Sequence, residues 1–308
     1  MRRHKLLFSI ILLVFIALIF NKNFVSQTYH LAKNKTLIPL IYFQNKNNDS
    51  YLKKCFKENS KLNSNKSILV VGHAYGESEA KNLGIYPKLI SYLKNKNQLF
   101  DVILIAGDLV RVPSKENYNI AMDQLKKFGK KIIISPGNHD VGFKFNDNKR
   151  EIYKDFFNNF YEHYIFENNL IIALDTNINS TIDKNQFSWL KSIISENKNI
   201  NNLIILTHQI PWRDNVKNKL LLDKHKKWEL VSDNDNKLIK FSNVLNYIGT
   251  LNIETYFFSG SVNHDNYLYC YKKNKNTFVN SGVGVNKINS IILLNFFENE
   301  ISLNYSLF

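Results

Sequence analysis

The sequence predicts an α/β fold of two stacked β-sheets with helices packed outside them. Three features point to it. From Ser67 onward, short apolar, β-branched runs alternate with segments of helical periodicity. The last third of the chain is a closely spaced series of strand-like runs. Several of the apolar runs end in a compact cluster of Gly, Asp, Asn or His, where layered α/β folds collect ligands.

Ser67 to Val71 is the first strand, and residues 77–95 carry apolar positions at helical spacing, interrupted by Gly84 and Pro87. Asp101 to Ala106 is the second strand. Residues 115–128 form a helix with Ala121, Leu125 and Phe128 on one face, and Lys131 to Ser135 is the third strand. A helix over 149–160 follows. Tyr164–Phe166 and Leu170–Leu174 flank Asn168-Asn169, which suits a hairpin turn. Residues 183–195 are helical, with Asp183 as N-cap and Phe187, Leu190 and Ile194 at the right spacing. Leu203–Leu206 is a strand and 237–249 a helix. Strands at 254–258, 267–271, 277–280, 289–296 and 300–305 complete the chain.

The 308 residues correspond to one large domain or two small ones at about 150 residues each. No linker interrupts the stretch after residue 67, so we expect one domain over 67–308. The N-terminal 25 residues have another character. Arg2, Arg3, His4 and Lys5 precede an apolar run from Leu6 to Phe20, broken only by Ser9, and Asn21-Lys22 close it. That layout is a signal anchor or a cleaved signal peptide. As a helix the run is about 22 Å long, short of a bilayer core of about 30 Å unless Asn21–Val25 are drawn in. The basic flank places the rest of the chain in the periplasm or outside the cell; cleavage would instead leave it secreted. Residues 26–66 are polar, Lys/Asn-rich and weakly periodic, and form a stalk.

The net charge is +15. The excess is mostly Lys spread with Asn along the whole chain, without the dense basic block of a nucleic-acid arm, so no nucleic-acid partner is expected. Two cysteines, Cys55 and Cys270, are too few for a disulfide framework or a Cys-rich zinc module, and leave one bridge open.

The polar clusters carry the chemistry. They are His73 with Tyr75, Gly107-Asp108, Gly137-Asn138-His139-Asp140, His208 with Pro211, and Ser259 to Asp265. Singly, each could be a turn or a hydrogen-bonded core residue. Together, each beyond a strand, they are hard to assign to packing. Their O and N donors suit Mn, Fe or Zn, and a carboxylate such as Asp108 is able to bridge two ions.

In this order the clusters resemble the calcineurin-like metallophosphoesterases over about residues 67–305. Gly107-Asp108 matches the family's second motif, Gly137–Asp140 its third in full, and His208 with Pro211 its fourth. Asp175-Thr176 followed by Gln186–Leu190 resembles the strand-loop-helix between the third and fourth motifs. The resemblance implies mixed sheets faced by helices (an αββα sandwich) and hydrolysis of phosphoesters at one or two divalent transition metals. Asp108, Asn138 and His208 would be ligands. His139 would be the general acid, with Asp140 orienting its ring. The sequence departs from the family twice. His73 stands where the family has Asp and Tyr75 where it has His. Ser261 and Asn263 stand where it has two His. His73, Asn263 and His264 are the candidate replacement ligands. Trp212 is a candidate roof over the site, with core packing as the other reading, and Arg213 a candidate clamp for a substrate phosphate.

Three roles fit this pattern: a phosphoester hydrolase with a remodelled metal site, a protein on the same fold that binds phosphate or metal without hydrolysis, and an envelope-assembly protein working by protein contacts. For a membrane-held hydrolase the accessible substrates are phosphorylated small molecules, glycans and lipid-linked phosphates.

Overall fold

The computed structural model describes residues 55–56, 66–76, 83–212, 237–261, 268–283, 289–297 and 301–308. All of them belong to one compact unit, Tyr51–Phe308. The expected anchor (1–25), most of the expected stalk, and the candidates Arg213, Asn263 and His264 lie outside the described residues.

The chain runs β1 (Lys66–Gly72), α1 (Pro87–Lys96), β2 (Val102–Ala106), α2 (Lys115–Lys126), β3 (Lys131–Ser135), α3 (Asn138–Val141) and α4 (Asn148–Phe157). There follow β4 (Glu162–Phe166), β5 (Asn169–Ala173), β6 (Ile182–Asp183), α5 (Lys184–Glu196), β7 (Asn202–Thr207), β8 (Leu238–Ile239) and α6 (Phe241–Thr250). The remaining strands are β9 (Glu254–Ser259), β10 (Tyr269–Lys273), β11 (Asn276–Asn280), β12 (Ser290–Phe296) and β13 (Ile301–Leu307).

Two mixed sheets result, ordered β13-β12-β1-β2-β3 and β10-β11-β9-β7-β5-β4. In the first, β1, β2 and β3 are parallel. In the second, β5, β7, β9 and β11 are parallel. Alternation along each strand produces the layers. Ile68 and Val70 of β1, Val102 and Leu104 of β2, Ile204 and Leu206 of β7, and Phe258 of β9 meet in one apolar layer between the sheets. The alternate residues Leu69, Val71, Ile103 and Ile105 pack with Leu89 and Leu93 of α1 and Ala121 and Leu125 of α2. On the far side, Leu203, Ile205 and Phe257 pack with Leu190 of α5 and Val244 of α6. Each central strand is therefore buried on both faces, which is why it reads as a continuous apolar run.

Several expectations need correction. Helix α1 begins only at Pro87, because proline fixes a first-turn φ and needs no N–H partner there; residues 77–82 lie outside the described set. The β4–β5 turn is Glu167-Asn168, one residue earlier than expected. Both residues have positive φ, at 48° and 57°, as a two-residue hairpin turn requires. The segment expected as a helix from 237 opens instead with β8, which pairs with β6, and α6 starts at Phe241. Cys55 and Phe56, assigned to the polar stalk, are buried in the layer between the sheets. Cys55 is disulfide-bonded to Cys270 of β10, and Phe56 bridges to Leu303 of β13. Among the described residues no helix is long and apolar enough to cross a membrane; Leu6–Phe20 is not among them.

Candidate metal and phosphoester site

The parallel strands of both sheets deliver their carboxyl ends to one place. Asp108 follows β2 on a backbone turned sharply by two consecutive positive φ values, Gly107 at 77° and Asp108 at 55°. A Cβ on Gly107 would lie 2.3 Å from the His208 ring, so only glycine lets the end of β2 pass under that imidazole. A Cβ on Gly137 would lie 2.2 Å from Asp108 Oδ1, which is how the β3 loop closes on the β2 loop. His73 also has a left-handed backbone, φ 54°. Non-glycine residues held this way concentrate at functional sites.

Asp108 is the hub and is buried. Its Oδ1 accepts the backbone N–H of His139 at 2.9 Å. Its Oδ2 lies 3.4 Å from His208 Nε2 and 3.7 Å from His73 Nε2. Both imidazoles are oriented from behind by carbonyls. His208 Nδ1 meets Ala106 O at 3.0 Å and His73 Nδ1 meets Val283 O at 2.9 Å. A carbonyl only accepts, so Nδ1 carries the hydrogen in each ring and both Nε2 lone pairs face inward. Asn138 completes the group. Its Oδ1 accepts the Gln209 amide at 3.1 Å and lies 2.9 Å from His208 Nε2.

Burial favours neutral Asp108, but His208, His73, His139 and the His139 N–H together outweigh it and hold the carboxyl below the usual range. His73 moves down as well: burial dominates over the attraction of Asp108 and the Val283 bond. An anionic carboxylate thus faces an uncharged His73 whose Nε2 is available as a donor.

These groups fit a divalent metal at one position. With His208 neutral and its hydrogen on Nδ1, the His208 Nε2, Asn138 Oδ1 and Asp108 Oδ2 are three electron-pair donors brought together. That arrangement is repulsive unless a cation lies among them. Donors each about 2.1 Å from one ion are themselves separated by about 3 to 3.4 Å, and the observed 2.9 and 3.4 Å are at this spacing. Among the described residues no three His, Cys, Asp or Glu side chains by themselves form such a group; the third donor here is the Asn138 amide oxygen.

His139, on α3, is half-buried. Its Nδ1 donates to Arg111 O at 3.0 Å, leaving Nε2 as the proton-transfer atom. The expectation that Asp140 orients this ring is overturned. Asp140 occupies the third position of the α3 turn, and its carboxylate reaches back to the backbone N–H groups of Gly137 (2.8 Å), Leu109 (3.1 Å) and Val110 (3.2 Å). Burial and nearby Asp108 push its pKa up to about 7, against those three hydrogen bonds. Asp140 is a staple between the β2 and β3 loops, not a partner of the ring. Trp212 is not a roof either. It is 1% exposed and packs against Phe257 and Phe278 in the core.

The structure adds residues that sequence reasoning did not assign. Gln209 holds Asn138, and its only signal was adjacency to His208. Arg111 O and Val283 O orient His139 and His73 through the backbone, which no residue type encodes. Ser261, at the altered fifth cluster, donates its backbone N–H to His208 O at 2.8 Å. Behind the site, Arg150 pairs with buried Asp175. Gln186 clasps the Asp175 backbone at 2.8 and 3.0 Å, and Asn177 ties that loop to Pro136 O at 2.8 Å.

Stacked mixed sheets with Asp, Asn and His at converging carboxyl strand ends define a layered α/β protein with a phosphoesterase-type site. The calcineurin-like phosphoesterase family profile matches residues 73–249, more than half of the chain, and the chain belongs to that family of phosphoric ester hydrolases, whose members normally bind divalent metals. A curated relative, the 3',5'-cyclic adenosine monophosphate phosphodiesterase CpdA of Haemophilus influenzae, is 26% identical over 148 residues, 45% of this chain and 53% of that protein. The chain thus matches about half the length of this relative. The purple acid phosphatase PPD1 of yellow lupin (Lupinus luteus) shares the fold, with a TM-score of 0.54 and 12% identity over 78% of this chain and 51% of the phosphatase.

Proposed function

We propose that the chain is a metal-dependent phosphoester hydrolase. Asp108, Asn138 and His208 hold a divalent transition ion (Mn, Fe or Zn), and His73 supplies a further nitrogen beside Asp108. The observation that carries this is the convergence of His208 Nε2, Asn138 Oδ1 and the Asp108 carboxylate at 2.9 and 3.4 Å. A divalent ion there supplies positive charge to a phosphoryl group and acidifies water. His139 acts as general acid. Its Nε2 gives a proton to the leaving oxygen as a water oxygen bonds to phosphorus and the ester P–O bond breaks, while the Arg111 carbonyl fixes the ring. The test is elemental metal analysis together with turnover of phosphoesters by the wild type and His139→Ala. Bound metal and a loss of roughly 10²-fold or more in kcat support the proposal; an unchanged rate removes His139 from the mechanism.

The proposed substrates are phosphorylated small molecules, with envelope glycans or lipid-linked phosphates as the favoured class. Arg111, Val112, Phe143, Lys144 and Phe145 are exposed on the two loops that hold His139, an apolar and cationic rim suited to an anionic amphiphile. The likeness to a cyclic-nucleotide phosphodiesterase supports a small diester instead. Faster turnover of soluble nucleotides than of lipid-linked phosphoesters would decide for the latter.

The proposed location is outside the cytoplasm, with the N-terminal apolar run as membrane anchor. The Cys55–Cys270 bond supports it, because disulfides persist in oxidising compartments. Non-hydrolytic binding is the second reading, favoured by Tyr75 at a position where the family has a ligand. Metal-free purified protein would favour it.

A further inference from the structure

We infer that the site is built for a single metal ion, because a buried Tyr75 ring, packed against the His73 ring beside Asp108, stands where the resemblance puts a donor for a second. The inference rests on the hydrolase reading above and deepens it.

The observation is a pile of three rings. Tyr75 lies between His73 and His139, with ring centroids 4.3 Å and 4.9 Å away. It is 2% exposed, so the pile is packed rather than a surface contact. The backbone locks it there. Tyr75 N–H donates to Asp108 O at 3.2 Å, and Gly76 N–H donates to His73 O at 3.0 Å, closing a tight turn. A Cβ on Gly76 would lie 2.4 Å from the Tyr86 ring, so the turn is also pressed against the start of α1.

The two flanks of Asp108 differ in chemistry. On the Asn138 and His208 side, an amide oxygen and an imidazole nitrogen face the carboxylate. On the β1 side stand the His73 nitrogen, 3.7 Å from Asp108 Oδ2, and the Tyr75 ring packed against His73. A neutral phenol is a poor ligand for Mn, Fe or Zn beside imidazole and carboxylate. Two divalent ions also need anionic ligands to offset their mutual repulsion. Among the described residues, Asp108 supplies one carboxylate. The nearby Asp140 is committed to three backbone N–H groups. Tyr75 thus takes a different part: it packs against the His139 ring, whose Nδ1 is held by the Arg111 carbonyl.

The test is metal stoichiometry of the full chain after saturation with Mn(II) or Zn(II), with electron paramagnetic resonance of the Mn(II) form. The expected result is one equivalent and the hyperfine pattern of isolated Mn(II). Two equivalents with exchange-coupled Mn(II) would overturn the inference and leave the hydrolase reading standing. No bound metal would overturn both. The double variant His73→Asp/Tyr75→His restores the family's residues and is expected to gain a second equivalent. A double variant that melts like the wild type yet still binds one would show that Tyr75 is not what closes the position. Should the variant fail to fold, the wild-type stoichiometry alone decides.

Discussion

The two flanks of Asp108 were built by the same device, a tight turn at the carboxyl end of a parallel strand, yet they carry different chemistry. The flank formed by β3 and β7 keeps Asn138, His139 and His208, each fixed by a hydrogen bond from a neighbouring loop. The flank formed by β1 keeps the left-handed backbone of the first cluster but offers His73 and a buried Tyr75. Similar left-handed turns at strand ends, at His73 and at Asp108, thus sit beside different donor sets. Strand ends and glycine contacts place a loop, and only the side chains choose what it binds.

The largest expected effect comes from removing the group both flanks share. Asp108→Ala should abolish metal binding and lower kcat by on the order of 10³-fold, the scale of losing a principal electrostatic element. Elemental analysis beside the rate checks it; retained metal would mean that the flanks do not depend on their hub. His139→Ala separates them. It should lower kcat by roughly 10²-fold while metal content stays at the wild-type value. A parallel loss of metal would place His139 in the binding group instead.

Two stability predictions sharpen the contrast between site and frame. The Cys55–Cys270 bond closes a loop spanning 215 residues. Cys270→Ser is expected to cost about 3–5 kcal/mol in denaturant unfolding, with metal stoichiometry unchanged because the bond lies in the layer between sheets. Asp140→Asn should cost about 1–3 kcal/mol, since an amide nitrogen would then face backbone N–H donors. That cost measures Asp140 as a loop staple. An effect confined to turnover, without loss of stability, would return it to the role of ring partner.

The same contrast explains what was legible beforehand. The central strands were, because strands buried on both faces must be apolar throughout, as Val102–Ala106 and Leu203–Leu206 are. Asp183 as N-cap was legible too, and its side chain accepts the Gln186 N–H. Strand β8 was not. Two residues paired with distant β6 carry no local period. In the site, Asp108, Asn138 and His208 were legible as residue types at strand ends. The direction of a short side chain was not: Asp140 follows His139 directly, yet the α3 turn aims it back at Gly137 N–H. Nor was the burial of Trp212, which depends on Phe257 and Phe278, 45 and 66 positions along the chain.

The smallest expected effect lies away from the hub, where β3 ends the first sheet and Glu162 of β4 accepts the Ile134 N–H at 3.1 Å. Burial raises the Glu162 carboxyl above its usual value, more than the Ile134 bond, Lys131 and His163 lower it. The folded chain then holds this proton more tightly than the unfolded chain does. Stability from this group is full below the ordinary glutamate range and declines as pH rises through the raised value. Glu162→Gln keeps an accepting oxygen and removes the titration. The wild type should therefore lose stability relative to Glu162→Gln as pH climbs through that window, in paired denaturant titrations. Metal content should not differ between the two, because this carboxylate closes a sheet edge and has no part in the donor set. A pH-independent difference would mean that the hydrogen bond, not the charge, is what Glu162 contributes to the edge.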